Sequence, residues 1–262
     1  MPELVKVEED GAVAIVTLDH PPVNALSGQL LEELEAEYDR LDSSDDIRAL
    51  VFRGAGEKAF VAGADISEFP ALREAAAEAA ESGSARGIQK LAARMDAGQT
   101  PVVAAIHGYC LGGGLELAMA CDVRIASDDA QLGQPEIKLG LIPGGGGTQR
   151  LPRLIGHGRA LLLNLSGDPI SGTQAYEWGL VERAVPLGEL FDAALELART
   201  LSERSPFAMG VVKRLATETR DVPLAEGLRA EAQAFMRCLG SEDGAEGVMA
   251  FLEKRKPQFT GK

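Results

Sequence analysis

Cysteine is scarce. The 262 residues hold only Cys110, Cys121 and Cys238, an odd number without CxxC spacing. Neither a disulfide framework nor a zinc cluster is indicated, and a reducing cytoplasm is the expected setting. Basic charge is also short: 26 Lys and Arg stand against 40 Asp and Glu, a formal net charge of -14. That balance excludes a nucleic-acid backbone as the main partner. A polyanionic small molecule is still compatible, held by a local basic patch or by helix N-termini. No apolar run reaches the roughly 18 residues a membrane span needs, so no membrane partner is expected. The stretch Met1 to Asp10 carries three Glu and one Asp and has no apolar core, which does not fit a signal peptide.

Several catalytic signatures are missing too. There is no HExxH, no GxSxG and no loop ending in Gly-Lys-Ser or Gly-Lys-Thr. The run Gly112-Gly113-Gly114 fails the dinucleotide fingerprint because Leu117 stands where its third glycine belongs. His20, His107 and His157 are too far apart for a local metal motif, and structural roles suit each better than catalytic ones. No metal is expected.

What is present is ordinary for a globular chain: 45% hydrophobic and 25% charged residues. At about 150 residues per domain the length fits one large domain, or one domain with an appendage. Val5 to Glu8 and Ala12 to Leu18 are β-branched runs split by Asp10-Gly11, which predicts a hairpin. Leu26, Leu30, Leu31, Leu34 and Tyr38 recur at helical steps, so Ser27 to Leu41 reads as an amphipathic helix. Ala49 to Arg53, Val102 to Ile106 and Val123 to Ile125 read as buried strands, with a glycine-led helix over Gly112 to Cys121. Alternation of this kind predicts an α/β fold. Ala71 to Arg94 is Ala- and Glu-rich, interrupted at Ser82-Gly83-Ser84, and reads as a helical segment that moves or rearranges on binding. After Pro186 only helices are expected: Leu187 to Ser202, Pro206 to Thr217 and Pro223 to Cys238.

Thirty glycines exceed the average usage of about 7%, and they concentrate at three places. Ala62-Gly63-Ala64-Asp65-Ile66 follows the strand-like Phe60-Val61, where small residues let a ligand approach outward N–H groups; taken alone, the segment is better explained as a tight turn. At Gly108 to Leu117 a strand gives way to a helix. Each glycine inside that helix costs roughly 1 kcal/mol, so a bare backbone is being kept at the helix N-terminus, where free N–H groups and the dipole suit a developing oxyanion. Glu116 falls in its first turn, a position that dipole complementarity alone also explains. The third place is Gly133-Gln134-Pro135-Glu136 followed by Gly140 to Leu151. Pro135 suits a first helical position, Glu136 reads as another first-turn acid, and the four glycines from Gly144 suit a loop.

Taken together and in order, five segments resemble the crotonase family, the enoyl-CoA hydratase and isomerase superfamily. They are Pro22 to Leu26, Ala59 to Ile66, Gly108 to Asp122, Gly133 to Leu151 and Glu246 to Lys256. The resemblance implies an α/β superhelix of repeated ββα units, with a crotonase core over residues 1–200. It also implies a C-terminal helical region over 201–262 that joins subunits into homotrimers or homohexamers. Two backbone N–H groups, mapping onto Ala64 and Gly113, are implied to hold an acyl-CoA thioester oxygen. Two-glutamate hydratases carry their acids where this chain has Glu116 and Glu136, which implies reversible addition of water to trans-2-enoyl-CoA to give 3-hydroxyacyl-CoA. No cofactor beyond the coenzyme A of the substrate is implied. For the CoA moiety the match points to Ala25, Ala62, Ala64, Asp65, Ile66, Ser67, Gly113 and Lys254, Ser67 standing where hydratases often have Lys. Such enzymes serve fatty acid β-oxidation, phenylacetate breakdown and amino-acid catabolism. The alternatives are a Δ3-Δ2-enoyl-CoA isomerase, served by Glu136 alone, or another crotonase-family acyl-CoA reaction, and, more remotely, a non-catalytic acyl-CoA or RNA-binding relative.

Overall fold

The computed structural model describes residues 3–74 and 87–262. The opening hairpin forms as expected: β1 (Val5–Asp10) and β2 (Val13–Leu18) pair antiparallel around Gly11, whose φ is 61°. The helix α1 (Gly28–Asp42) follows, and the Ser27 hydroxyl caps it by accepting from the Leu30 N–H. Leu30, Leu34, Tyr38 and Leu41 form its buried stripe.

The chain then repeats one unit. β3 (Ala49–Gly54) and β4 (Ala59–Val61) lead to α2 (Phe69–Glu74) and α3 (Ile88–Ala97). Next, β5 (Val102–Ile106) and β6 (Tyr109–Leu111) lead to α4 (Gly113–Ala120). Last, β7 (Val123–Ser127) and β8 (Gln131–Gly133) lead to the short 3-10 helix Pro135–Leu139, then to α5 (Gly147–Ile155) and α6 (His157–Ser166). The first strand of each unit joins a six-stranded sheet ordered β1-β2-β3-β5-β7-β10. The second joins a four-stranded sheet ordered β4-β6-β8-β9. β9 (Ile170–Ser171), α7 (Gly172–Trp178) and β10 (Arg183–Val185) complete these layers.

The large sheet is parallel from β2 onward, and both of its faces are covered. Ala14, Val16, Leu18, Leu50, Phe52, Val102, Ala104 and Ile106 face the core that contains α1, α3 and α4. Val13, Ala49, Val51, Val103, Ala105 and Ile125 face the opposite way, onto Leu190, Ala194 and Ala198 of α8 (Leu190–Ser202). A parallel strand buried on both faces reads as a continuous apolar run, which is why these strands were visible in the sequence.

The expectation of helices alone after Pro186 holds, with a 3-10 turn at Leu187–Glu189 ahead of α8. α9 (Pro206–Glu218), α10 (Leu224–Leu239) and α11 (Glu242–Glu253) follow. α9 is tied to the core through Lys213, whose ammonium is 2.9 Å from both the Asp122 carboxylate and the Thr100 carbonyl. Of the Ala- and Glu-rich stretch 71–94, the ends fall in α2 and α3, and 75–86 with Ser82-Gly83-Ser84 lies outside the described residues.

Candidate active site

The small sheet builds the site. β4, β6 and β8 run parallel, so their C-terminal ends open on one edge, the usual place for ligands in parallel α/β layers. Ala62 to Asp65 leave β4 there, Gly112 and Gly113 leave β6, and Gln134 to Glu136 leave β8. One cavity of about 510 Å³ is lined by all three, with Ala64, Gly113, Glu116 and Glu136 among its walls.

Close backbone approach explains the glycines of α4. A Cβ on Gly114 would lie 2.1 Å from the Val61 carbonyl, and one on Gly112, whose φ is 50°, would lie 2.7 Å from the Glu136 carboxylate. A Cβ on Gly113 would meet the Ala64 nitrogen at 3.7 Å, so these two residues flank the same space. The neighbouring N–H groups are engaged: Gly112 donates to Gly133, Asp65 to Leu26 and Ala62 to Val23. Those of Ala64 and Gly113 have no acceptor among the described residues. Gly113 opens α4, so its N–H lies at the positive end of that helix. Two free donors at one apolar cavity can stabilise an oxygen that gains negative charge.

Glu116 is 2% exposed, yet its carboxylate is gripped: Oε1 accepts the N–H groups of Gly145 and Gly147, both at 2.7 Å. Burial pushes its pKa above the usual carboxylate value, while those N–H bonds and the Arg150 charge pull the other way. Glu136 lies in the first turn of its 3-10 helix. With its NH2 turned toward that carboxylate, the fully buried Gln134 amide donates to Oε1 and Oε2 at 3.1 and 3.2 Å. Burial pushes Glu136 up to about 7, and the Glu116 charge adds to the rise. Leu139, Leu141 and Ile142, all solvent-exposed, form an apolar wall beside the pair.

Of the residues assigned to the CoA moiety, Ala62, Ala64, Asp65, Ile66 and Gly113 line the cavity. Asp65 has a local task as well: its carboxylate accepts the Ser67 N–H at 3.0 Å and caps the 3-10 turn Ile66–Glu68, and hydrogen bonding from the Ser67 side chain, then from its backbone, holds it below the ordinary Asp range. Ser67 and Ala25 do not line the cavity; the Ala25 carbonyl accepts from the His20 ring at 2.7 Å. Lys254 is also away from it, as the exposed C-cap of α11 with φ 58°. Gln134 and the glycine turn at 145–147 were not assigned roles from sequence. The four-glycine run is the signal of the turn, because a Cβ on Gly145 would lie 2.5 Å from Glu116 Oε2 and 2.0 Å from Ile88. Among the described residues no cluster of three or more His, Cys, Asp or Glu could hold a metal ion.

The two-sheet ββα spiral defines the crotonase fold class, with paired backbone donors and two carboxylates at the cavity. The chain belongs to the enoyl-CoA hydratase/isomerase family, whose model matches residues 8–262. A Bacillus subtilis protein named "Probable enoyl-CoA hydratase" is 44% identical over 260 residues, 98% of each chain. The short-chain-enoyl-CoA hydratase of Clostridium acetobutylicum is 39% identical, over 96% of this chain and 95% of its own. The crystal structure of an enoyl-CoA hydratase from Bacillus anthracis superposes with a TM-score of 0.92 at 40% identity, covering 99% of this chain and all of that one.

Proposed function

We propose that the chain is an enoyl-CoA hydratase that adds water reversibly across the double bond of a trans-2-enoyl-CoA. The observation that carries this reading is the pair Glu116 and Glu136 on one cavity with the unengaged Ala64 and Gly113 N–H groups. Full-length relatives named as enoyl-CoA hydratases support it. In this reading the thioester oxygen rests between the two N–H donors. Glu116, whose ionised form is favoured by two N–H bonds and Arg150, takes a proton from water as the oxygen bonds to C3. Glu136, which holds its proton more tightly, delivers it to C2. The charge that builds on the thioester oxygen meets both donors, each worth about 3 to 4 kcal/mol by analogy with other oxyanion sites. Loss of the conjugated thioester absorbance with crotonyl-CoA tests the reaction. Shift of a 3-enoyl double bond without hydration would favour the isomerase instead.

Exposed Leu224, Phe235, Met236, Phe251 and Leu252 on α10 and α11 support a homotrimer or homohexamer, in which Lys254 would serve a neighbouring subunit's CoA; light scattering tests the assembly. Three unpaired thiols suit a cytoplasmic setting. Among the described residues no helix is long and apolar enough to cross a membrane. Turnover of short-chain 2-enoyl-CoA in β-oxidation is the proposed role.

A further inference from the structure

Behind Glu116 lies an ion pair for which the hydration chemistry has no direct use. Arg150 on α5 reaches Asp96 on α3 with both terminal guanidinium nitrogens, Nη1 to Oδ1 at 3.1 Å and Nη2 to Oδ2 at 2.5 Å. The Arg150 side chain is 16% exposed and that of Asp96 28%. This two-pronged geometry fixes orientation as well as charge. Arg150 also starts at the glycine turn: its N–H donates to the Gly146 carbonyl at 2.7 Å, and a Cβ on Gly146 would meet its side chain at 3.4 Å. On either side of Gly146 are the two N–H groups that grip Glu116 Oε1. The other end of the clamp, α3, also contributes Ile88, which presses against Gly145 and lines the cavity.

We propose that Arg150, clamped by Asp96, is a positioning residue for Glu116: it fixes the glycine turn that grips the carboxylate and supplies the positive field behind it. This rests on the hydratase reading for its catalytic consequence, and on geometry alone for its effect on Glu116.

Among the described residues, the charges around Glu116 leave this role to the pair. α4 packs against α3, α5, β4 and β6. On α3, Lys90 and Arg94 turn away to Glu35 and Asp39 of α1. On α5, Arg153 goes to Asp221. β4 has no charged residue, while β6 contributes the exposed Tyr109 and the buried, protonated Cys110. Across the cavity stands Glu136, of like charge when ionised. Arg150 therefore favours the Glu116 carboxylate, and Asp96 partly cancels it.

Two substitutions separate field from scaffold because they act with opposite sign. Arg150→Gln removes the favourable charge and raises the titration midpoint of Glu116 by about one pH unit; Asp96→Asn leaves the guanidinium uncompensated and lowers it. Arg150→Lys keeps the charge but loses the fork, so the midpoint stays near wild type while kcat falls. The readout is a carboxyl 13C titration of glutamate-labelled full-length protein, with the Glu116 signal assigned through Glu116→Gln and folding checked by circular dichroism. Shifts in the same direction for Arg150→Gln and Asp96→Asn, or no shift in either, overturn the proposal. If Arg150→Gln does not fold, the downward shift in Asp96→Asn decides alone. Wild-type hydration of crotonyl-CoA, measured alongside, keeps the two readings apart. Opposite shifts without turnover remove the hydratase and leave the positioning role, and turnover without opposite shifts does the reverse.

Discussion

Glu116 and Glu136 border one cavity, but their surroundings treat them differently. Glu116 is nearly inaccessible and has two backbone donors on a single oxygen, with a cation behind them. Glu136 is half-buried, faces one neutral amide, and lies within reach of the Glu116 charge. A desolvated carboxylate ionises only if donors replace its water. Glu116 has those donors and the Arg150 charge, whereas Glu136 has a like charge beside it in place of a cation and rises to about 7. The pair therefore holds one proton near neutrality, and donor placement decides where it rests.

The comparison breaks most completely if either acid is dispensable. Glu116→Gln and Glu136→Gln are each expected to lower kcat for crotonyl-CoA hydration by about 10³-fold, the range of general acid–base catalysis. If Glu116→Gln hydrates normally while Glu136→Gln does not, the site is working with a single base, as an isomerase would. Gly145→Ala comes next. Its methyl would sit 2.5 Å from Glu116 Oε2 and 2.0 Å from Ile88, and displacement of the carboxylate by about 1 Å should cost on the order of 10²-fold in kcat. Gly188→Ala, with nothing within 4 Å, is the control; equal losses in both would mean that the contact at Gly145 is not what matters.

How much of this was readable beforehand depended on sequence distance. β2, β3, β5 and β7 appeared as apolar runs because the large sheet is covered on both faces, and α1 through its 3.6-residue stripe. β6, β8 and β9 span three residues or fewer, too short for any period. α8 read as one of a series of C-terminal helices, although its Ala194 and Ala198 pack under the large sheet; a helix stripe does not reveal which sheet it will meet. At the site, glycine enrichment marked the segments around Ala64, Gly113, Glu116 and Glu136, because close backbone approach leaves its trace in local composition. The grip of Gly145 and Gly147 on Glu116 spans 29 and 31 residues. Nothing in the sequence around Glu116 announces partners so remote. The Gln134 amide was equally hidden, since only the fold turns it onto Glu136.

A pH experiment sharpens the contrast in activity. Forward hydration requires protonated Glu136, so kcat/KM should fall as pH rises through about 7, the value to which burial brings that group. The reverse dehydration draws on the same singly protonated pair with its proton on the other acid, and the overall reaction takes up no proton, so its kcat/KM should fall through the same window. A kcat/KM that stays flat as pH rises through about 7 would contradict the role given to Glu136.

The smallest effect is on stability, and its sign is fixed by the same group. Glu136 titrates at its ordinary 4.5 when unfolded and at about 7 when folded. Between those values the folded chain holds a proton that the unfolded chain has released, so the free energy of unfolding declines as pH rises through this window. Below 4.5 both states are protonated and above about 7 both are ionised, so the contribution of this group is flat outside it. In Glu136→Gln that slope should vanish, making the variant gain on wild type as pH increases in urea titrations. Glu116→Gln should only narrow the window, because it removes the like charge and leaves the burial that is the larger cause. An unchanged slope in Glu136→Gln would mean that the proton shared by the two acids resides elsewhere.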